Sequence, residues 1–93
     1  MRVRYNRGAR ADLDEILAYI SERNPAAAAR LLERFLATER LISRFPEIGT
    51  KTTRRNLRRM VIGNYIMAYE VEIDVVSIHY IRHSARKRPW ENE

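Results

Sequence analysis

Leu57-Arg58-Arg59-Met60-Val61-Ile62-Gly63-Asn64-Tyr65-Ile66-Met67-Ala68-Tyr69-Glu70-Val71-Glu72-Ile73 is the stretch on which the fold turns. Its side chains follow a period of two, the spacing that sends successive residues to opposite faces of a strand. Gly63-Asn64 marks a tight turn, because both residues tolerate the positive φ that short hairpin connections need. The spacing predicts a strand over 57–62 and a longer one over 65–73. Met67, Tyr69, Val71 and Ile73 share one face of the latter, and Glu70 and Glu72 the other. A turn around Asp74 leads to a further strand from Val75 through Arg82, which completes an antiparallel meander.

Upstream, the period changes. Leu13, Ile16, Leu17 and Ile20 repeat at helical spacing within 9–23, opposite Asp14, Glu15 and Glu22. Asn24-Pro25 stops this helix and starts another, since asparagine accepts from orphan amides and proline at the first helical position loses no needed donor. Ala28, Leu31, Leu32, Phe35, Ile42 and Phe45 mark the inner face of the second helix, which Phe45-Pro46 ends near Gly49. Val3 and Tyr5 alternate with Arg2 and Arg4 in a short first strand, with Gly8 as punctuation, and 50–56 reads as a polar loop. The order β-α-α-β-β-β defines an α+β fold, a helical hairpin packed on one face of a small antiparallel sheet whose other face stays partly open.

The 93 residues suit a single domain spanning 1–93. Cysteine is absent, so disulfides, thiolate metal sites and a cysteine nucleophile are excluded. No window approaches the roughly 18 apolar residues of a membrane span, no signal peptide is visible, and a cytoplasmic, non-membrane protein is expected. The net charge of +6 is unevenly spread. Between Ile48 and Tyr69 there is no acid, while Lys51, Arg54, Arg55, Arg58 and Arg59 cluster; Arg82, Arg86, Lys87 and Arg88 follow near the end. Such clusters favour a polyanion or an acidic partner, and the planar fork of arginine suits phosphate or carboxylate.

The element order and four strings together resemble the RelE/ParE superfamily of toxins over nearly the whole chain. The strings are Asn24-Pro25-Ala26-Ala27-Ala28, Phe45-Pro46-Glu47-Ile48-Gly49, Tyr65-Ile66-Met67-Ala68-Tyr69-Glu70-Val71 and Ile81-Arg82-His83-Ser84-Ala85-Arg86. The last is similar to the ending of the final strand in many ParE-like members, with Ser84 in place of glycine. The resemblance implies a RelE/ParE-like toxin fold and a growth inhibitor of a type II toxin–antitoxin module, neutralised by a cognate antitoxin. It implies no cofactor.

Two activities follow from the resemblance. ParE-type members, which this chain resembles more closely, are binding toxins that trap DNA gyrase. Arg82, His83 and Arg86 would then contact the target, with Lys87 and Arg88 adjoining and Lys51, Arg54, Arg55, Arg58 and Arg59 as a flank. RelE-type members cut messenger RNA in the ribosome, which needs proton transfer and cations that stabilise a charged phosphorane. There Arg59 and Arg86 stand for catalytic cations and His83 for the acid–base group. However, Ile66 occupies the position where the RelE pattern has arginine, and no tyrosine follows Tyr80. A plain basic binding module is the third reading; it needs aromatic residues on the basic face, whereas the tyrosines read mostly as core.

Other features have simpler readings. His79 and His83 on a strand lie about 13 Å apart, too far for one metal ion. Tyr65 and Tyr69 share a core face. Arg58 and Arg59 point to opposite faces, so one serves the site and the other is a solvated or antitoxin-paired charge. Trp90 reads as an anchor for the C-terminal segment. Asp12, Asp14 and Glu15 offset the dipole of the first helix. An antitoxin tail alternating acidic and apolar residues would cross the helical hairpin or add to a sheet edge, and would carry the DNA-binding domain. No helix here aims basic residues along one face for a DNA groove, so no direct sequence-specific DNA binding is expected.

Overall fold

The computed structural model describes residues 1–84; the expected positions of Arg86, Lys87, Arg88 and Trp90 lie outside the described residues. The chain runs β1 (Arg2–Tyr5), α1 (Arg7–Arg23), α2 (Pro25–Arg44), β2 (Thr50–Lys51), β3 (Leu57–Ile62), β4 (Tyr65–Val71) and β5 (Val75–His83). Asn6 caps α1 by accepting the Ala9 N–H at 2.8 Å, so the helix begins at Arg7 and Gly8 lies inside its first turn. Asn24 serves both helices. Its N–H donates to Ile20 O, and its side chain accepts from Ala27 N at 3.0 Å with Pro25 at the first helical position.

The sheet order is β1-β5-β4-β3-β2. Strands β2 to β5 pair antiparallel, as the meander requires, but β1 pairs parallel with β5, so the five-stranded sheet is mixed. Two helices separate β1 from the other strands, which removes the tight-turn constraint that forces antiparallel pairing. The two-residue strand β2 falls inside the expected polar loop. Thr50 faces Arg59 and Lys51 faces Arg58.

Both helices cover one face. Ala9 and Leu13 of α1 and Phe35 and Ile42 of α2 meet Ile62, Met67, Tyr69, Val76, Ile78 and Ile81 in the core. Tyr5 adds a polar tie by donating to Glu39 Oε2 at 2.5 Å. Burial, reinforced by that carboxylate, pushes the Tyr5 hydroxyl above the usual phenol range.

Strand β4 ends at Val71, and Ile73 is 94% exposed rather than inward-facing. The Glu72 N–H bonds Val75 O at 2.9 Å, which places Ile73 in the tight connection between β4 and β5. A more consequential irregularity lies in β5. Ala68 pairs with Tyr80 but Tyr69 pairs with Ile78, so His79 has no partner in the register and forms a bulge. The extra residue resets the alternation, and Ile78 and Ile81 both face the helices although three positions apart.

Tyr69 fastens the segment after α2. Its hydroxyl donates to Pro46 O at 2.7 Å and accepts from Gly49 N at 2.9 Å. The approach is close enough that a Cβ on Gly49 would lie 2.6 Å from that oxygen and 2.9 Å from Arg59 O. Tyr69→Phe leaves a buried amide and a carbonyl without this partner. It should cost about 1–3 kcal/mol, seen as a lower urea midpoint with an unchanged m-value.

Candidate target-binding face

Cross-strand register divides the candidate residues between the two faces of the sheet. Met67 and Tyr69 point into the core, so their neighbours Met60 and Arg58 face the helices, whereas Arg59, paired with Ala68, faces outward. Arg58 is tied to the chain itself through one nitrogen of its guanidinium. Its Nη1 donates to Glu47 O and Gly49 O, both at 2.9 Å, and so completes the fastening begun by Tyr69.

Two rows of side chains cross the uncovered face. One runs Thr50, Arg59, Ala68, Tyr80, and the other Val61, Ile66, Arg82. Tyr80 is placed here by the His79 bulge. The Arg82 guanidinium lies 4.1 Å from the centre of the Tyr80 ring, a cation–π stack. A concavity of about 510 Å³ joins Tyr80 and Arg59 to Leu57 and the loop residues Lys51, Thr52, Thr53 and Arg54.

The loop is built rather than slack. The Thr52 hydroxyl accepts from Arg54 N at 3.1 Å and donates to Leu57 O at 3.0 Å, and Asn56 takes a left-handed φ of 62° that asparagine tolerates. Arg55 lies toward the neighbouring concavity with Lys51, Arg54 and Arg58. No carboxylate among the described residues lies within 4.0 Å of Lys51, Arg54, Arg55, Arg59 or Arg82. These charges are therefore available to external anions.

His83 is not on this face. It neighbours Tyr65 on the helix side, edge to ring at 5.1 Å between centroids, and its Nδ1 is buried with no hydrogen-bond partner among the described residues. Arg82 and His83 thus leave β5 on opposite sides, and the expected cluster is divided. His79, considered above only as a metal ligand, is the histidine on the open side. Its Nε2 meets Glu70 Oε1 at 3.0 Å, with side chains 22% and 33% exposed. Strict alternation hid it, since only the bulge puts His79 and Tyr80 on one face.

A helical hairpin thus covers one side of the mixed sheet, and cations with no carboxylate partner among the described residues lie on the other. A family described as the ParE toxin of the type II toxin-antitoxin system, parDE, matches residues 3–88. Toxin RelE2 of Caulobacter vibrioides is 35% identical over 76 residues, covering 82% of this chain and 86% of that protein. Toxin RelE3 of the same organism is 29% identical over 84 residues, covering 86% and 90%. A putative toxin, Y4kP, of Sinorhizobium fredii is 31% identical over 90 residues, covering 95% and 93%. Among solved structures, a chain of the chromosomal ParDE TA system from P. aeruginosa superposes with a TM-score of 0.75 at 17% identity, covering 89% of this chain and 95% of that one. The chain belongs to the ParE toxin family of type II toxin–antitoxin systems. Membership implies an antitoxin partner.

Proposed function

We propose that this toxin acts as a ParE-type poison of DNA gyrase, gripping its target through Arg59 and Arg82 on the open sheet face and through Lys51 and Arg54 of the concavity beside them. The observation that carries the reading is the divergence of Arg82 and His83. The cations stand without the acid–base residue that the sequence set beside them, and Val61 and Ile66 fill the adjoining row. Arginine forks and an exposed apolar strip suit a protein surface bearing anions better than they suit proton transfer. The antitoxin is proposed to lie across the helical hairpin, where Leu32 and Leu36 are exposed one turn apart on α2.

One feature favours a second reading, RelE-like cleavage of messenger RNA. His79 and Glu70 form a pair on the same face as Arg59 and Tyr80. In that reaction His79, rather than His83, would exchange protons while Arg59 and Arg82 hold the phosphate.

Induction in cells separates the two. Poisoning predicts a prompt DNA-damage response with intact messages; codon-phased message cuts without damage signalling would reject it. His79→Gln sharpens the distinction, since growth inhibition should persist for a poison but fall by about 10²-fold or more for an enzyme that uses it as acid or base.

A further inference from the structure

Apolar surface collects at the end of the sheet where β4 turns into β5. Ile73 stands in that turn at 94% exposure, and Phe45 and Ile48, which follow α2, are 55% and 47% exposed among the described residues. The three line one groove of about 720 Å³ together with Pro46 and Val71. Turns ordinarily take small or polar residues, and three apolar side chains around one recess make the kind of patch that marks a binding surface. Ser84, the last described residue, lies at the opposite end of β5, about 25–30 Å from Val75 at strand rise.

The shape suits contact between identical copies. A two-fold interface is self-complementary, so whatever protrudes must find its recess on the same surface. Here the protruding Ile73 is itself a wall of the recess that Phe45 and Ile48 line. We propose that this end of the molecule is the contact surface of a two-fold homodimer, in which Ile73 of each copy enters the groove of the other.

Charge selects a second copy over an acidic partner. On a chain of net charge +6, this surface departs from the prevailing sign. Exposed Arg44 shares the groove with Glu47 and Glu72, and exposed Asp74 follows Ile73. Glu72 is held by Arg4 at 3.6 Å, which leaves Glu47 and Asp74 to face Arg44 of the other copy. An acidic partner, drawn to the cations of 51–59 and Arg82, meets carboxylates here, whereas two copies of a basic chain repel each other least here. Lys51, Arg59 and Arg82 take no part in the groove, so each copy keeps its target-binding face and the pair presents two, whichever target that face holds.

Sedimentation equilibrium on the full-length chain tests the proposal. The expected mass is twice the 11.0 kDa of one chain, falling toward 11.0 kDa on dilution. Ile73→Asp should weaken the pair by about 10²-fold or more, because both halves of the interface lose an apolar side chain at once. Arg44→Glu should weaken it about two- to tenfold, the scale of two exposed ion pairs. Val61→Asp, at a 71% exposed apolar position away from the groove, should leave it unchanged, and all three variants should keep the native circular dichroism. A single 11.0 kDa species up to about 1 mM overturns the proposal, as does a dimer indifferent to Ile73→Asp or one lost with Val61→Asp. A monomer whose binding to its antitoxin falls with Ile73→Asp assigns the groove to the antitoxin and overturns it as well.

Discussion

Cells induced for the Arg59→Glu, Arg82→Glu double variant are expected to grow as if uninduced. Each arginine offers charge-assisted bonds worth about 1.5–3 kcal/mol to an anionic group, and reversing the charge replaces attraction with repulsion. Loss of both contacts removes about 3–6 kcal/mol, a weakening of roughly 10²- to 10⁴-fold in target affinity. Neither side chain takes part in the core, and neither has a carboxylate within 4.0 Å among the described residues, so the melting transition should change little. Arg30→Glu, on an exposed position of α2, is the matched control and should remain fully toxic. Growth inhibition retained by a folded double variant would remove the open face from the toxic mechanism under either reading.

The largest effect on stability should come from Phe35→Ala. Phe35 is fully buried, joins α2 to the sheet and lies 6.2 Å from the Tyr65 ring centre at a tilted angle. Its truncation removes apolar contacts and leaves a cavity that rigid strands close poorly, at a cost of about 3–5 kcal/mol. A domain of this size has only about 5–14 kcal/mol in hand. The midpoint should therefore fall by roughly 12–40 °C, given 4–8 °C per kcal/mol for domains of comparable length. A calorimetric shift below a few degrees would show that the site collapses around the gap. Because Tyr65 also packs edge to ring against His83, the same variant should loosen that end of the molecule.

Local patterns carried most of the architecture. Leu13, Ile16, Leu17 and Ile20, the Asn24-Pro25 junction and the Gly63-Asn64 turn specify their elements through contacts a few residues apart, and each element forms close to its expected bounds. Gly8 misled because the capping asparagine stands two residues earlier, and helix geometry accommodates a glycine after the cap. The parallel placement of β1 beside β5 depends on pairing across some seventy residues, which periodicity does not encode. Ile73 matched the inward pattern of its strand, yet the connection to β5 took it first.

The site was less legible than the fold for a related reason. Composition singles out the cations of 51–59 and Arg82, but which of them share a surface depends on the phase of each strand. Arg58 and Arg59 were separable by alternation, whereas the carbonyls that engage Arg58 belong to the distant 47–49 segment. Tyr80 and His79 were concealed by one unmatched residue.

That residue also bears on how such toxins diverge. Were His79 instead to pair with Ala68 in a regular ladder, everything after it would advance by half a pleat. Tyr80 and Arg82 would turn toward the helices, and Ile81 would turn outward. Loss of the bulge with His79 retained would thus exchange contact surface for interior without altering a single side chain, whereas deletion of His79 itself would keep Tyr80 and Arg82 outward. A relative without the extra residue keeps these faces, whereas one that carries it in a regular ladder presents the opposite set, so a comparison of toxin specificities in this family should fix the bulge before comparing the residues beyond it.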